Sequence, residues 1–425
     1  MNITILAVGS LGDVQPYLAL GLGLQAAGHK VRFAACANFE AFVRGRGLEF
    51  FPIRCDPREW LESEAGKDWL KSGSDPIKFI RGLTRLMKPS MERSLEDSWA
   101  ACQGADAIIY SLLAIGAYHV AEKLGIPSFI APLQPVRRTN AFPNVVLPEK
   151  FNLVGAVNIL THIAAEQLFW QPFRGMINEW RQKTLSLPPA PFFGPWGSMA
   201  KQRYPCLFGY SRFVMPKPPD WGDWVHVTGY WFLDRPADWQ PPTDIVDFLA
   251  DGPPAVYIGF GSTTESDPEG LTEIVIKAIK LSGMRGILLS GWAGLSKDKL
   301  PEDVFLLESI PHDWLFPQMA AVVHHGGAGT TSAGLRAGIP NIVIASQAEM
   351  YFWGRRVAAL GVGPYPILRR ELTAERLADA IRISTSDTGM KQRAAELGQR
   401  IRSEDGVANA VRAFHQHVSI TPDKY

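Results

Sequence analysis

Short apolar runs alternate with amphipathic stretches from the first residues onward. Residues 3–8 form an apolar run typical of a buried strand, followed by a glycine-containing turn and a helical pattern over about residues 14–27. Gly28 stands where a helix can end at little conformational cost, and residues 30–35 predict a second strand. This order of strand, helix and strand predicts a parallel sheet.

The alternation of apolar runs and helical patterns continues and then restarts after a region of different amino-acid composition. Between about residues 187 and 242, prolines, tryptophans and glycines replace the helical period, which indicates a connection between domains. A final amphipathic stretch over residues 375–418 predicts helices that close the second domain. Strands are further predicted at residues 107–110, 128–131, 255–260, 285–290, 304–307, 321–324 and 341–345, with helices at 114–124 and 271–281.

The predicted fold class is α/β, with two Rossmann-like domains whose parallel sheets face a central cleft. Two domains agree with a length of 425 residues, which exceeds what one core usually supports. The predicted boundaries are residues 1–215 for the N-terminal domain, 216–245 for a linker, 246–405 for the C-terminal domain, and 406–425 for a helical tail that can pack back on the N-terminal domain.

Composition excludes several classes of function. A formal net charge of +1 leaves no basic surface for nucleic acid. The four cysteines are scattered without a C-x-x-C pair, so buried free thiols are expected rather than a zinc or redox site. The N-terminal residues lack the features of a signal peptide, so the expected compartment is the cytoplasm. The apolar stretch over residues 151–173 contains Asn158, His162 and Glu166, which makes it unsuited to cross a bilayer.

The most informative motif is His324-His-Gly-Gly-Ala-Gly-Thr-Thr331, which lies between an apolar strand and a helical pattern. Its glycines allow close approach of a ligand to the backbone, and a helix N-terminus offers unpaired N–H groups and a positive dipole end. A purely structural turn would need no pair of histidines at its mouth. The motif therefore favours a diphosphate bound without metal over a simple tight turn.

Several motifs together resemble one family, the UDP-sugar glycosyltransferases of the GT-B fold, and in particular their sterol 3-beta-glucosyltransferase-like branch in bacteria and fungi. The resemblance covers nearly the whole chain. The motifs that carry it are Gly9-Ser-Leu-Gly-Asp-Val-Gln-Pro-Tyr17, Ile258-Gly-Phe-Gly-Ser262, Ser309-Ile-Pro-His-Asp-Trp-Leu-Phe-Pro317, the histidine-glycine motif and Phe352-Trp-Gly-Arg-Arg356.

The resemblance implies roles for individual residues around the nucleotide. His325 would contact the α-phosphate, and Ser262 would reach the phosphates from another loop, although it could simply cap a helix. Trp292 would line the nucleotide side or belong to the core. Further implied contacts are Gly327, Gly329, Thr330 and Thr331 for the diphosphate, and Ser309 and Ile310 for the uracil.

Asp13 is the candidate catalytic base, since the family places its base on the first loop of the N-terminal domain. A carboxylate in a partly apolar environment has a raised pKa, which suits removal of a proton from an acceptor hydroxyl. Asp before a helix is also a common N-cap, and both roles can hold. A His–Asp dyad, which many relatives use, is not supported, because Ser111-Leu-Leu follows the strand at residues 107–110.

The donor sugar is the point at which the sequence departs from the family. Relatives carry an Asp-Gln pair before Phe-Trp-Gly, whereas this chain has Glu349 and Met350. Met350 removes hydrogen-bonding groups, so a deoxysugar would lose less than glucose at this position. No Asp-x-Asp pair occurs, which agrees with a reaction that needs no metal. No cofactor is expected beyond the UDP-sugar as co-substrate.

The acceptor is expected in the N-terminal domain, where an aromatic stretch could wall a hydrophobic pocket or form ordinary core; its candidates are Phe142, Phe169 and Trp170. The predicted function is inverting transfer of a hexose, such as glucose from UDP-glucose, to a hydroxyl of a lipophilic molecule such as a sterol. No obligate protein partner is implied, and peripheral membrane contact stays open. The alternatives are a deoxysugar donor, a nucleotide-sugar-binding protein that is weak or silent in catalysis, and a sugar-nucleotide epimerase.

Overall fold

A computed structural model describes residues 1–54, 76–146, 155–260, 267–289 and 300–419. The chain forms two compact units. Unit 1 comprises Met1–Leu233 and the C-terminal segment that begins at Asp405, and unit 2 comprises Asp234–Glu404.

Unit 1 contains a seven-stranded parallel sheet in the order β3-β2-β1-β4-β5-β6-β7. Its strands are β1 Asn2–Ala7, β2 Lys30–Cys36, β3 Glu49–Ile53, β4 Ala107–Tyr110, β5 Ser128–Ile130, β6 Cys206–Phe208 and β7 Val225–Val227. The first helices of the unit are α1 Leu11–Ala26, α2 Glu40–Arg44, α3 Pro76–Ala101, α4 Gly116–Leu124, α5 Ala156–Lys183 and α6 Trp196–Lys201.

Unit 2 contains a six-stranded parallel sheet in the order β10-β9-β8-β11-β12-β13. Its strands are β8 Val256–Gly259, β9 Gly286–Leu289, β10 Val304–Leu307, β11 Ala321–His324, β12 Asn341–Ala345 and β13 Ile367–Leu368. Its helices are α7 Thr243–Ala250, α8 Pro268–Ser282, α9 His312–Leu315, α10 Ala328–Ala337, α11 Ala348–Ala359, α12 Ala374–Ser386 and α13 Thr388–Ser403, and short 3₁₀ turns join some of them. The last helix of the chain, α14 Gly406–Ser419, belongs to unit 1.

Both faces of each sheet are covered by helices, so the central strands are buried on both sides and read as continuous apolar runs rather than alternating ones. In β1 every residue after Asn2 is buried, and β4 and β11 are buried throughout. One face of the first sheet packs against α1 and α14, where Phe414 is fully buried beside Phe129. The burial of these runs explains why the strands were predictable from hydrophobicity alone.

The strand order places a topological switch point in each sheet. In the first sheet, β1 to β3 follow one another outward on one side and β4 to β7 on the other. In the second sheet, β8 to β10 do so on one side and β11 to β13 on the other. Ligands of open α/β sheets bind at such points, beyond the carboxyl ends of the strands. Asp13 follows β1 and His325 follows β11, so each candidate lies at a switch point.

The architecture confirms the predicted fold class, with differences in detail. Helix α1 begins at Leu11, before the predicted residue 14, because Ser10 and not Asp13 is its N-cap. Strand β7 lies within the segment that was expected to be the linker, and the chain passes between the units at Leu233 and Asp234. The expectation of four free thiols was wrong: Cys102 and Cys206 are buried free thiols, but Cys36 is disulfide-bonded.

Two histidine pairs join α14 to the rest of unit 1. The Nε2 atoms of His29 and His415 lie 2.8 Å apart, and those of His226 and His417 lie 2.9 Å apart. At each contact one ring donates a proton and the other accepts it, so at least one imidazole of each pair is neutral. Burial lowers the pKa of His29, His226 and His417, which favours the neutral form.

Candidate functional site

Asp13 lies in the first turn of α1, where the backbone approaches it closely. Its Oδ2 accepts hydrogen bonds from the Ser10 backbone N–H at 2.8 Å and from the Ser10 hydroxyl at 2.9 Å. Gly9 has φ +145, and a Cβ at that position would overlap the Asp13 carboxylate. The strand-to-helix turn therefore needs glycine here, both for its backbone conformation and for the space that Asp13 occupies.

The two oxygens of Asp13 have different surroundings. Oδ2 is the acceptor of the Ser10 bonds, whereas Oδ1 has no hydrogen-bond partner among the described residues. Burial raises the pKa of the Asp13 carboxyl, and the two bonds from Ser10 oppose that rise. The arrangement fixes the carboxylate through one oxygen and leaves the other able to accept a proton at a raised pKa, as a general base requires.

The two histidines of the motif have separate tasks. His324 is fully buried: its Nδ1 accepts the Gly326 backbone N–H at 3.0 Å, and its Nε2 lies 3.1 Å from Oδ1 of Asn341. Since Gly326 is the donor, the ring proton belongs on Nε2, and a neutral ring satisfies both bonds. Burial and the neighbouring His325 lower the pKa of His324 to about 3. His324 therefore shapes the loop and does not face a ligand.

His325 has no such partners among the described residues. Its Nδ1 is buried and makes no hydrogen bond to them, and its Nε2 lies beside Gly327, in the place that a Cβ of residue 327 would fill. A buried N–H without an acceptor costs about 1–3 kcal/mol, so the proton of the neutral ring belongs on Nε2. Burial lowers the pKa of His325 to about 4. At neutral pH this side chain is an uncharged donor at the N-terminus of α10.

Helix α10 begins without a side-chain cap. Its N-cap residue is Gly327, and the backbone N–H groups of Ala328, Gly329 and Thr330 have no partner among the described residues. Unpaired amides at a helix N-terminus form a binding site for anions. Together with the Nε2–H of His325, they form a candidate anion site in unit 2, called here the phosphate-binding half-site.

The two threonines that were predicted to bind diphosphate differ. Thr331 is buried, and its hydroxyl donates to the Gly327 carbonyl at 2.8 Å, so it stabilises the helix start. Thr330 is only partly buried, and its hydroxyl has no partner among the described residues. The structure thus leaves Thr330 able to reach a ligand and uses Thr331 internally.

The first turn of α11 packs against the same loop. A Cβ on Gly326, which has φ +89, would stand 2.7 Å from the Met350 carbonyl oxygen. Glu349 and Met350 are partly buried, and the Ser346 hydroxyl donates to the Met350 sulfur at 3.3 Å. The pair that departs from the family pattern therefore lies beside the phosphate-binding half-site.

The segment after β10 contains a histidine that the sequence analysis did not select. Ser309 is exposed and Ile310 packs against the core. His312 follows them and stacks on Phe316, with ring centroids 4.2 Å apart. Burial lowers the pKa of His312 to about 4, with His325 acting in the same direction. This effect of His325 on the pKa of His312 requires that the two histidines be close. In the sequence, the signal for His312 was its place in the motif that begins at Ser309.

Two predicted nucleotide contacts, Ser262 and Trp292, lie outside the described residues. Of the acceptor candidates, Trp170 is core: it is 1% exposed, and its indole N–H donates to the Phe192 carbonyl at 3.0 Å. Phe169 is partly buried and packs near Phe173. Phe142 is partly exposed and packs edge-on against the rings of His162 and Trp221.

The described part of the chain lacks two further features. No group of three or more His, Cys, Asp or Glu side chains there is arranged to hold a metal ion. None of its helices is both long and apolar enough to cross a membrane.

Two family models match the chain. Residues 3–143 match the glycosyltransferase family 28 N-terminal domain, and residues 289–414 match the erythromycin biosynthesis protein CIII-like C-terminal domain. Sterol 3-beta-glucosyltransferases from Emericella nidulans and Cryptococcus neoformans are 39% and 37% identical to it over 98% of this chain. The matched regions are 30% and 27% of those proteins, so the chain spans about 30% of the length of the curated relatives.

Solved structures show the same fold. The glycotransferase of kitacinnamycin superposes with a TM-score of 0.70 at 21% identity, covering 98% of both chains. The calicheamicin glycosyltransferase CalG4 gives a TM-score of 0.68 at 16% identity, covering 99% of both chains. These identities establish the architecture alone.

The two sheets, their switch-point sites and these matches define the chain as a glycosyltransferase-family protein of GT-B fold. Within that class its sequence is similar to those of sterol 3-beta-glucosyltransferases over 98% of this chain.

Proposed function

We propose that this protein transfers a hexose from a UDP-sugar to the hydroxyl of a lipophilic small molecule. The observation that carries the proposal is the phosphate-binding half-site of unit 2, where unpaired amides at the start of α10 lie beside the uncharged donor His325. Such a site suits a diphosphate and needs no metal to hold it. The nucleotide-sugar is a co-substrate, and the proposed reaction uses no cofactor.

The proposed chemistry is a direct displacement. Asp13 removes the proton from the acceptor hydroxyl through its unpaired Oδ1, and the oxygen attacks the anomeric carbon. The bond between that carbon and the β-phosphate oxygen breaks, and UDP leaves with the bonding electron pair. Attack from the face opposite UDP converts an α-linked donor into a β-glycoside. Charge on the leaving phosphates is met by the amides of α10, the Nε2–H of His325 and the Thr330 hydroxyl.

We propose glucose as the sugar and a sterol as the acceptor. The relatives at 37–39% identity are sterol 3-beta-glucosyltransferases, which supports both assignments. The partly exposed ring of Phe142, in the loop that follows β5, supports an apolar acceptor on unit 1.

A second candidate is transfer of a deoxysugar, and the observation that favours it is Met350. Its thioether already accepts a bond from Ser346 and offers no strong donor or acceptor to a sugar hydroxyl. A nucleotide-sugar-binding protein without turnover is a third candidate.

One experiment separates the three candidates. UDP or TDP release is measured with UDP-glucose, UDP-galactose and TDP-rhamnose, each with cholesterol, a flavonoid or a long-chain alcohol, and the product anomer is read by NMR. A β-glucoside of cholesterol supports the proposal, and turnover restricted to TDP-rhamnose supports the deoxysugar. Nucleotide binding without release in any combination would favour the binding protein over both transferases. The Glu349→Asp and Met350→Gln double variant, which restores the family pair, should then increase the preference for glucose.

A further inference from the structure

The N-terminal half of α5 presents polar side chains inward, although its C-terminal half is apolar core. Asn158, Thr161 and His162 are buried, and Glu166 is partly buried. Buried polar groups normally have hydrogen-bond partners, so this row requires an explanation. The partners are in residues 131–146, the segment that follows β5 and is called here the 131–146 loop.

His162 closes this loop with two hydrogen bonds. Its Nε2 lies 3.1 Å from the Phe142 carbonyl oxygen, and its Nδ1 lies 3.1 Å from the side-chain nitrogen of Asn144. A neutral ring satisfies both contacts when Nε2–H donates to Phe142 and Nδ1 accepts from Asn144. Burial lowers the pKa of His162, which favours that neutral state. The carbonyl of Val136, 3.2 Å from Nδ1, lies against the same ring.

Asp220 fixes the loop from another side. Its Oδ1 accepts the Thr139 hydroxyl at 2.7 Å, and its Oδ2 accepts the Asn140 backbone N–H at 2.7 Å. The Asn140 carbonyl in turn accepts from the Asn158 side chain at 2.8 Å. The indole N–H of Trp221 donates to the Arg138 carbonyl at 3.0 Å. The loop is thus held by side chains on two sides, in addition to the hydrogen bonds within it.

The loop starts beside the candidate base. The carbonyl of Ala131 accepts a hydrogen bond from the hydroxyl of Tyr17, which lies one helical turn after Asp13 in α1. Both segments follow carboxyl ends of strands in one parallel sheet, where ligands of such sheets bind. The loop also carries Phe142, whose ring packs edge-on against His162 and Trp221.

We propose that the 131–146 loop is a preformed wall of the acceptor site, and that His162 and Asp220 are positioning residues that hold Phe142 against the acceptor. This inference rests on the proposed function, since it assigns one side of that function's acceptor site. A wall fixed before binding lowers the entropy cost of binding the acceptor. The polar row on α5 therefore acts on affinity for the acceptor and leaves the donor half-site unchanged.

The test compares His162→Gln and Asp220→Asn with Asp223→Asn. Asp223 is an equally exposed carboxylate three residues further on, and it makes no hydrogen bond to the described residues. With UDP-glucose and cholesterol, both loop variants should raise the KM for cholesterol about tenfold, the effect of ordering one or two side chains. The KM for UDP-glucose and the slow hydrolysis of UDP-glucose without acceptor should stay within about twofold of wild type.

Because His162 is buried, the His162→Gln variant can lose stability. Asp220 lies at the surface, so Asp220→Asn keeps the test valid if His162→Gln does not fold. Unchanged KM for cholesterol in the folded variants would overturn the proposal, as would equal losses in acceptor-free hydrolysis. Cholesterol binding is followed in parallel by tryptophan fluorescence, without UDP-glucose. If wild type binds cholesterol but transfers nothing, the proposed function fails, and weaker binding by the variants still supports the loop. Equal binding by wild type and variants, or none by wild type, would reject it.

Discussion

The polar groups at the carboxyl ends of the strands differ between the two sheets in how far they are hydrogen-bonded. In unit 1, side chains from α5 and the 220–221 segment satisfy the backbone of the 131–146 loop, and Ser10 holds one oxygen of Asp13. In unit 2, the amides that open α10 and Nδ1 of His325 have no partner among the described residues. The first arrangement suits a fixed loop shape, and the second suits the binding of a negatively charged ligand.

The substrates of the proposed function would explain this difference. A diphosphate brings many acceptor oxygens and can repay the desolvation of unpaired N–H groups. A sterol brings one hydroxyl and a large apolar surface, so a wall with unsatisfied polar groups would repel it. Asp13 Oδ1 is an exception at this edge, because it has no hydrogen-bond partner among the described residues, and it is the atom to which the proposed function assigns the acceptor proton.

The largest effect is expected from a substitution of Asp13. Asp13→Asn should keep the bonds from Ser10, because an amide oxygen still accepts them, and should lower kcat by about 10²–10⁴ fold. A raised carboxyl pKa means that Asp13 contributes stability below its unfolded-state pKa and loses it as pH rises through the folded-state pKa. The variant should therefore melt at or above the wild-type temperature at pH 7. Turnover assays and thermal melts check both outcomes, and wild-type turnover in a folded variant would exclude Asp13 as the base.

Removal of the uncharged donor in unit 2 should have the next largest effect. His325→Ala should lower kcat/KM by about 10²–10³ fold, because the phosphates lose a preorganised hydrogen bond. Since its pKa lies near 4, UDP affinity should not fall between pH 6 and 8 through titration of this group. Calorimetric titration with UDP measures this. A tenfold change in affinity across that range would mean that His325 binds as an imidazolium.

The adjacent threonines provide a matched pair. Thr330→Val should raise the KM for the donor several fold, since its hydroxyl is available to phosphate. Thr331→Val should leave that KM nearly unchanged and lower the free energy of unfolding by about 1 kcal/mol, through loss of its bond to Gly327. Donor kinetics and urea denaturation of both variants separate the two roles. The reverse pattern would contradict the assignment.

The smallest effect concerns the histidine pairs of α14. Burial, together with His417 and Lys217, lowers the pKa of His226 to about 4, and Asp223 opposes this. A depressed pKa contributes stability above pH 6.5 that is lost as pH falls toward 4. His417→Gln should therefore reduce the drop in melting temperature between pH 7 and 5 by about 2 °C or more. Equal drops in wild type and variant would show that this pair is not responsible.

Much of the fold could be predicted from the sequence because parallel strands buried on both faces give apolar runs. The runs at β4, β10, β11 and β12 coincide with the observed strands. Strands β6 and β7 were missed because each has three residues within a segment rich in proline and tryptophan. A run that short carries no period, and only the neighbouring strand reveals it.

The residue types at the candidate site could be predicted from the sequence, but their hydrogen-bond partners could not. The motif around His325 indicated an anion site, yet two adjacent histidines look alike until one is seen bonded to Asn341. Thr330 and Thr331 differ in the same way. Trp170 could be either core or pocket wall, because helical spacing shows that a face is buried without showing what covers it. In the sequence, His162 stands out only as a polar residue within an apolar stretch. Its role could not be predicted, because its loop partners follow no sequence pattern.

The return of the chain to unit 1 has a consequence for how hybrid proteins should be made. Gly406 packs so tightly against Gly229 and Tyr230 that a Cβ there would overlap the Tyr230 carbonyl, and Phe414 of α14 fills the core beneath β5. A hybrid joined once, near Asp234, would take most of unit 1 from one parent and α14, which completes unit 1, from the other. If unit 1 binds the acceptor, as the proposed function has it, exchange of acceptor specificity between relatives needs two junctions, one on each side of Asp234–Glu404.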